Sequence, residues 1–263
     1  MRIGFAGNLE KEGIAEFRQR LMDQACGFGE KVLALDSVDA LRSEHPAPEL
    51  LVVIGGDGTL LRFASAAAER DIPLLGVNLG RIGFLSEIAF DGFAAAIGKL
   101  RSGDYRVETR MMLRCSINGE ECANCLNDFL VFKQSFSGTI HVDLFCDGQA
   151  VGSVFSDGII ASTPTGSTAY NLSAGGPVVT QSLDSIIVTP VCSHTLHMRP
   201  IVSAPDAVWT FHIYGEGFVA GDGIKLRNVS HDDEITVTRS GRRVRFIRFG
   251  EQNVFELIRQ KLT

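Results

Sequence analysis

The segment GGDGT at residues 55–59 places Asp57 among three glycines, directly after the apolar run Leu50–Ile54. Glycines let backbone N–H groups approach phosphate oxygens, and Thr59 can cap the helix that the following residues predict. A carboxylate does not favour a bare phosphate. Asp57 is therefore predicted to bind a cation or to take the proton of a hydroxyl that attacks phosphorus. The alternative is a tight turn in which Asp57 only caps a helix.

Two common nucleotide-binding motifs do not fit this loop. A P-loop requires Lys followed by Ser or Thr after its last glycine, whereas Thr59 and Leu60 follow Gly58 here. The dinucleotide fingerprint GxGxxG is also missing from the loop. A second glycine-rich segment at residues 76–85 contains Arg81, whose guanidinium could bind phosphate. A crossover between domains, packed with glycines, explains that segment equally well.

Hydroxyl groups are concentrated in the segment DGIIASTPTGSTAYNLSAGG at residues 157–176. Hydroxyls and the N–H groups of a short helix at Thr168–Ser173 could bind ribose and phosphate, and Tyr170 could stack on a base. The alternative is a polar loop. Asn127 and Asp128 could bind ribose hydroxyls or a carboxamide, although a turn before a strand explains them better without other context. The sequence Gly221-Asp222-Gly223 predicts a turn, with a site aspartate as the other possibility.

Cysteine and histidine spacing gives little support for a metal site. Cys122 and Cys125 form a CxxC pair without a second pair at similar spacing, so two small apolar residues beside a strand are favoured over zinc or redox chemistry. His194 and His197 have no suitably spaced partner ligand either. In a reducing compartment all six cysteines are expected to be free thiols.

Strand and helix patterns alternate in the first part of the chain and give way to strands near Tyr105. The first part predicts an open α/β sheet, and the second predicts mainly antiparallel β structure. Asn118-Gly119 and Asp147-Gly148 predict tight hairpins. A terminal amphipathic helix at Asn253–Leu262 is expected to pack on the first domain. The expected domains are residues 1–104 with 242–263, and residues 105–241.

Composition limits the classes of partner. The chain has 263 residues, is 45% hydrophobic and carries a formal net charge of −6. A mildly acidic protein is a poor general nucleic-acid binder, but it can still bind a small phosphate-bearing ligand in a local array of donors. No apolar run reaches transmembrane length, and residues 1–7 lack the features of a signal peptide. A cytoplasmic protein without membrane or nucleic-acid partners is expected.

Taken in order along nearly the whole chain, these segments resemble the NAD kinase family, which phosphorylates NAD to NADP. The resemblance rests on GGDGT at 55–59, GVNLGRIGFL at 76–85, LND at 126–128, DGIIASTPTGSTAYNLSAGGP at 157–177 and HTLHMRPIV at 194–202. GGDGT alone is shared with lipid kinases and resembles the phosphofructokinase loop, whereas TPTGSTAY is far more specific. The resemblance implies a Rossmann-like, phosphofructokinase-like N-terminal α/β domain, a C-terminal antiparallel β domain and a C-terminal helix that returns to the first domain.

The resemblance also assigns roles. Asp57 would deprotonate the 2′-hydroxyl of the adenosine ribose. The residues that would bind NAD are Gly58, Asn127, Asp128, Asp157, Ser162, Thr165, Thr168, Ala169, Tyr170 and Ser173. The residues expected at the phosphates are Gly55, Gly56, Thr59 and Arg81. ATP with Mg²⁺ or another divalent metal is the expected donor, some relatives accept polyphosphate, and no fixed metal site is expected in the protein. A homo-oligomer, dimer or tetramer, is implied.

Three positions depart from the family pattern. The family pair is more often Asn-Glu, so Asp128 reaches less far. A basic residue commonly stands just before the Asp-Gly step, whereas Phe155 and Ser156 precede Asp157 here. Ile224 stands where the family often has Gln. Two other hypotheses are a lipid kinase, which would need a membrane-contacting surface, and a nucleotide-sensing module without activity, against which the intact Asp57 loop argues.

Overall fold

The computed structural model describes residues 1–80, 83–195, 197–250, 256, 258 and 259. The chain divides into two compact units, Met1–Arg110 with Val244–Thr263 and Met111–Arg243. The sequence places the domain limits at residues 104 and 242 instead, and those limits stay a prediction.

The first unit is an α/β structure with a parallel sheet. Its strands are ordered β2-β1-β3-β4, β5 lies beside β4, and Phe246 near the end of the last strand of the chain pairs in parallel with Leu74. Its elements in chain order are β1 Arg2–Gly7, α1 Ile14–Gly27, β2 Lys31–Leu35, α2 Val38–Ser43, β3 Leu50–Ile54, α3 Asp57–Glu69, β4 Leu74–Asn78, β5 Ile88–Ala89 and α4 Phe93–Ser102.

Burial explains why β3 is apolar throughout. All five of its residues are buried, as in a central parallel strand covered on both faces. Phe63 of α3 and Phe93 of α4 are among the largest fully buried side chains of the unit. Burying a side chain of this size contributes about 1.5–3 kcal/mol relative to leaving it in water.

Helix limits differ from the sequence expectation at both places that matter for the site. The helical spacing of apolar residues predicts a first helix over residues 10–25, whereas α1 begins at Ile14, because Gly13 has a left-handed backbone with φ 79°. α3 begins at Asp57 rather than at Thr59, so the carboxylate stands on the first residue of the helix. The short helix α2, which the sequence did not predict, begins where the Ser37 hydroxyl accepts a hydrogen bond from the N–H of Ala40.

The second unit consists of antiparallel strands. One sheet has the order β10-β9-β14-β17, a second has the order β13-β12-β11-β8-β15-β16, and β6 forms a hairpin with β7. The elements are β6 Arg106–Ile117, β7 Glu120–Cys125, β8 Asp128–Lys133, β9 Ile140–Cys146, β10 Gln149–Ser156, β11 Gly158–Ser162, α5 Tyr170–Ser173, β12 Ile186–Val191, β13 Ile201–Ser203, β14 Trp209–Tyr214, β15 Gly217–Gly221, β16 Ile224–Val229 and β17 Glu234–Arg248. Together the two units confirm the expected fold class.

Both predicted hairpin turns are confirmed. Asn118 and Gly119 have φ of 54° and 81°, and Asp147 and Gly148 have φ of 51° and 74°, as a tight turn matching strand twist requires. The sequence missed β7, β11, β13, β15 and β16, which are short or rich in polar residues and glycine. Of the predicted helix Asn253–Leu262, residues 256, 258 and 259 are helical and the rest lies outside the described residues. No described helix is both long and apolar enough to cross a membrane.

Candidate functional site

The glycine loop connects the carboxyl end of β3 directly to α3. Gly55 has φ 141°, and a Cβ there would lie 2.7 Å from Oγ1 of Thr59, so only glycine fits. Gly56 is the N-cap of α3 with extended backbone, and it provides no capping side chain. A Cβ on Gly56 or Gly58 would meet no atom within 4 Å. The first turn of α3 therefore presents open backbone, where the helix dipole favours an anion.

The carboxylate of Asp57 is bound by the second glycine-rich segment. Its Oδ2 accepts a hydrogen bond from the N–H of Phe84 at 2.8 Å, and its Oδ1 accepts from the N–H of Leu85 at 3.1 Å. The Ser86 hydroxyl donates to Oδ1 at 3.4 Å. A Cβ on Gly83 would lie 2.0 Å from Oδ1. The described part of this segment thus holds the carboxylate, and its proposed phosphate ligand Arg81 lies outside the described residues.

A buried arginine fixes that segment in turn. Arg248, fully buried at the end of β17, donates to the carbonyl of Leu85 at 3.1 Å and pairs with Glu87 at 3.0 Å. Glu87 also accepts a hydrogen bond from the N–H of Phe249 at 2.7 Å. Residues 242–249 alternate basic and apolar side chains, and Arg248 among them supports the segment that positions Asp57.

A cavity of about 150 Å³ opens over the start of α3. It is lined by Asn8, Lys11, Gly56, Gly58, Thr59 and Arg62. Two cations beside open helical N–H groups suit a phosphate chain. Sequence reasoning missed Lys11 and Arg62; the usable signal for Lys11 was its place after β1, whose carboxyl end lies at the same sheet edge as that of β3.

In the second unit, the turn before β8 carries Asn127 and Asp128. The carbonyl of Asn127 accepts hydrogen bonds from the N–H of Thr163 at 2.8 Å and the hydroxyl of Ser162 at 3.2 Å. A Cβ on Gly166 would lie 2.3 Å from the same carbonyl oxygen. The hydroxyl-rich segment is thereby packed against the turn. Burial, and secondly the charge of Asp222, raises the pKa of Asp128 to about 7.

Several hydroxyls of the segment bind the protein's own backbone. Ser162, Thr163 and Ser167 are buried and donate to backbone carbonyls. These hydroxyls shape the loop. Asn171 is fully buried and donates to the carbonyls of Ser167 and Pro177, both at 3.1 Å. Among the remaining predicted contacts Thr165 is buried, Thr168 and Ala169 are half-buried, and Tyr170 and Ser173 are exposed.

Lys133 provides the cation that the sequence lacks before Asp157. Its Nζ lies 2.6 Å from a carboxylate oxygen of Asp157, because β8 and β11 are adjacent strands. Burial, followed by the charges of Cys192, Asp157 and Asp128, raises the pKa of Tyr170. The second unit therefore brings Asp128, Asp157 and Tyr170 into one electrostatic neighbourhood.

The cysteine pair lies on and beside the core of the second unit. Cys122 is half-buried, Cys125 is buried, and both are free thiols. Burial raises the pKa of Cys125. Within the described ranges, no group of three or more His, Cys, Asp or Glu residues is arranged to bind a metal ion.

Two family models match the chain. The ATP-NAD kinase N-terminal domain matches residues 16–105, and the ATP-NAD kinase C-terminal domain matches residues 126–249. An NAD kinase of Geotalea daltonii is 40% identical over 234 residues, which cover 86% of this chain and 82% of the relative. An NAD kinase of Moorella thermoacetica is 37% identical over 276 residues, which cover 99% of this chain and 89% of the relative.

Solved structures show the same fold. The crystal structure of an NAD kinase from Archaeoglobus fulgidus in complex with ATP superposes with a TM-score of 0.81 at 26% identity, covering 98% of this chain and 99% of that one. The yeast NADH kinase complexed with NADH gives a TM-score of 0.87 at 22% identity, covering 100% of this chain and 87% of that one. At that identity the yeast structure supports the fold alone.

Proposed function

The chain belongs to the ATP-NAD kinase family, and we propose that it phosphorylates the 2′-hydroxyl of the adenosine ribose of NAD to make NADP. The observation that carries this proposal is the position of Asp57. Its carboxylate stands on the first residue of α3 and is held by two backbone N–H groups of Phe84 and Leu85. A base fixed beside an open helix N-terminus is the arrangement that phosphoryl transfer to an alcohol requires.

The proton transfer uses a free position on the carboxylate. Among the described residues, Oδ2 of Asp57 accepts one hydrogen bond, from Phe84, and a carboxylate oxygen can accept two. The ribose hydroxyl donates to this position and loses its proton to Asp57 as its oxygen bonds to the γ-phosphorus of ATP. The bond from that phosphorus to the bridging oxygen breaks, ADP leaves, and Asp57 later releases the proton to water.

The phosphates of ATP are proposed to lie over the start of α3, at Gly55, Gly56, Gly58 and Thr59, with Lys11 and Arg62 from the cavity lining. A divalent cation, Mg²⁺ or another, is proposed to arrive on the phosphates of ATP. When bound, that cation neutralises phosphate charge. Polyphosphate is the other donor to test.

NAD is proposed to bind through the second unit. At the ribose the amide of Asn127 can donate and accept hydrogen bonds and the carboxylate of Asp128 accepts them, Asp157 is oriented by Lys133, and the exposed ring of Tyr170 offers a stacking face. The other proposed contacts are Ser162, Thr165, Thr168, Ala169 and Ser173.

The test is incubation of the purified chain with NAD or NADH, ATP or polyphosphate, and Mg²⁺, followed by chromatography of the products. With NAD and ATP as substrates, NADP and ADP should appear in equal amounts. Asp57→Asn should lower kcat by about 10²–10⁴-fold and leave NAD binding in place, because only the base is lost. Asp23→Asn, an exposed carboxylate on α1, is the matched control and should leave kcat unchanged. ADP without NADP would contradict the proposal.

We extend the proposal to a cytoplasmic homo-oligomer, a dimer or tetramer. Six free thiols suit a reducing compartment. An exposed aromatic group on β9, β10 and β14, where His141 stacks on Phe155 and Tyr214 at 4.4 and 4.6 Å between ring centroids, suits a protein contact. Light scattering after size-exclusion chromatography measures the assembly, and cell fractionation measures the location.

A further inference from the structure

In the hairpin turn between β15 and β16, the carboxylate of Asp222 faces the turn that precedes β8. Asp222 and Gly223 form the turn with φ of 47° and 80°. The Asp222 carboxylate accepts hydrogen bonds from three successive backbone N–H groups, those of Leu126 at 2.8 Å, Asn127 at 2.7 Å and Asp128 at 3.3 Å. Hydrogen bonds to an ionised acceptor are about twice as strong as neutral ones.

The turn that carries Asn127 is thus held from both sides. Asp222 binds its N–H groups, while Thr163 donates from its hydroxyl to the carbonyl of Leu126 at 2.6 Å and from its N–H to the carbonyl of Asn127 at 2.8 Å. The N–H of Asp222 also donates to the carbonyl of Asp128 at 3.0 Å. The main chain of the turn is therefore fully bound, and its side chains remain to bind a ligand.

We propose that Asp222 is a positioning residue, which fixes the main chain of Asn127 and Asp128 in the orientation that binds NAD. The inference rests on the proposed function, because it concerns the NAD contacts of that site. Removing the carboxylate would leave three adjacent N–H groups without their acceptor, so the turn would rearrange and its two side chains would lose their alignment.

The charge of Asp222 has a separate consequence. Asp128 is buried, and burial together with the charge of Asp222 opposes its ionisation. Burial also raises the pKa of Asp222, while the three N–H groups from which it accepts hydrogen bonds favour its ionised form. Cys125 on β7 and Tyr170 on α5 are the other titratable groups that interact with Asp128. Ionised Asp128 accepts hydrogen bonds from ribose hydroxyls at both oxygens, whereas the protonated form accepts fewer. NAD affinity should therefore fall as pH drops below about 7.

The test is Asp222→Asn in the full chain, with kcat, both KM values and NAD binding measured between pH 5.5 and 8.5. We expect the KM for NAD to rise about tenfold at pH 8, with the KM for ATP unchanged, since a few charge-assisted hydrogen bonds are lost. The acid fall in NAD affinity should move to lower pH, because Asp128 then ionises without a neighbouring charge.

Asp233→Asn is the matched control. Asp233 accepts hydrogen bonds from the N–H of Ser230 at 2.8 Å and the amide of Asn118 at 2.7 Å, so its loss also removes a carboxylate that binds a turn. It should lower the melting temperature without changing the KM for NAD or the pH profile. If Asp222→Asn does not fold, Asp222→Glu keeps the charge and displaces the carboxylate. It should raise the KM for NAD and leave unchanged the pH at which NAD affinity falls.

The outcomes separate the inference from the proposed function. If the wild-type chain makes no NADP, the proposed function fails. If the wild type is active and the Asp222 variants change only the melting temperature, as Asp233→Asn does, Asp222 is a structural residue and the inference is overturned.

Discussion

The carboxylate of Asp57 accepts a 2.8 Å hydrogen bond from the backbone N–H of Phe84, which lies 27 residues further along the chain. The two residues belong to successive strand ends of one parallel sheet, since β3 leads to the first and β4 leads to the second. The reacting carboxylate is therefore set by main-chain atoms. Substitutions other than proline leave a main-chain N–H donor in place, but they can displace it.

Gly83→Ala should disable the reaction by displacing the base. A Cβ at this position would lie 2.0 Å from Oδ1 of Asp57, so the carboxylate must move away from the Phe84 and Leu85 N–H groups. We expect kcat to fall about 10²-fold with little change in the KM for NAD, because misplacement of a catalytic group by about 1 Å has effects of this order. Steady-state kinetics with NADP formation as the readout checks this. Gly80→Ala is the control, since a Cβ there meets no atom within 4 Å; equal losses in both variants would argue against displacement.

Lys11→Ala and Arg62→Ala should each raise the KM for ATP about tenfold, because each removes one cation from the cavity at the start of α3. The KM for NAD should stay the same. Added KCl should weaken ATP binding to the wild type more than to the double variant, since salt screens exposed charges. Titration with ATP at two salt concentrations measures both effects. Lys31→Ala, an exposed lysine on β2, should behave as wild type. An unchanged KM for ATP in the double variant would exclude this phosphate path.

Lys133→Met should raise the KM for NAD about tenfold and leave kcat within about twofold, because Asp157 loses the partner that orients it. Lys133→Arg keeps a cation and should restore most of the affinity. Binding of NAD by calorimetry is the direct measurement. Lys225→Met on β16 removes a lysine that stacks on Phe218 and serves as control. A wild-type affinity in Lys133→Met would show that the pair is only structural.

Asp128→Asn should weaken NAD binding yet stabilise the free protein at alkaline pH. The folded-state pKa of about 7 lies above the usual 3.8, so the folded state binds this proton more tightly than the unfolded state. Stability conferred by protonated Asp128 is complete below about pH 4 and is lost as pH rises toward 7. The variant should gain stability over the wild type by on the order of 1–3 kcal/mol at pH 8, and by less at pH 5.

Urea denaturation of both proteins without ligand, at pH 5 and pH 8, measures this difference. Asp104→Asn, which removes an exposed carboxylate just beyond the end of α4, should show the same small effect at both pH values. A stability difference for Asp128→Asn that does not change with pH would contradict the raised pKa.

The features that the sequence alone determined are those that depend on residues close together in the chain. Five consecutive apolar residues required a covered strand, glycines around Asp57 required a tight loop, and Asn118-Gly119 required a hairpin. These features depend on local backbone preferences and on which side chains leave water, so they can be read from neighbours in the chain. The order of the motifs also indicated the family.

Tertiary structure alone decided which distant residues meet. Asp222 binds the N–H of Asn127 across 95 positions, and Arg248 binds the carbonyl of Leu85 across 163. These contacts follow from strand order, since β8 lies between β11 and β15 and so brings Lys133 beside Asp157 and the β15–β16 turn beside Asp128. Strand order reflects packing of the whole sheet, and local propensity carries no information about it.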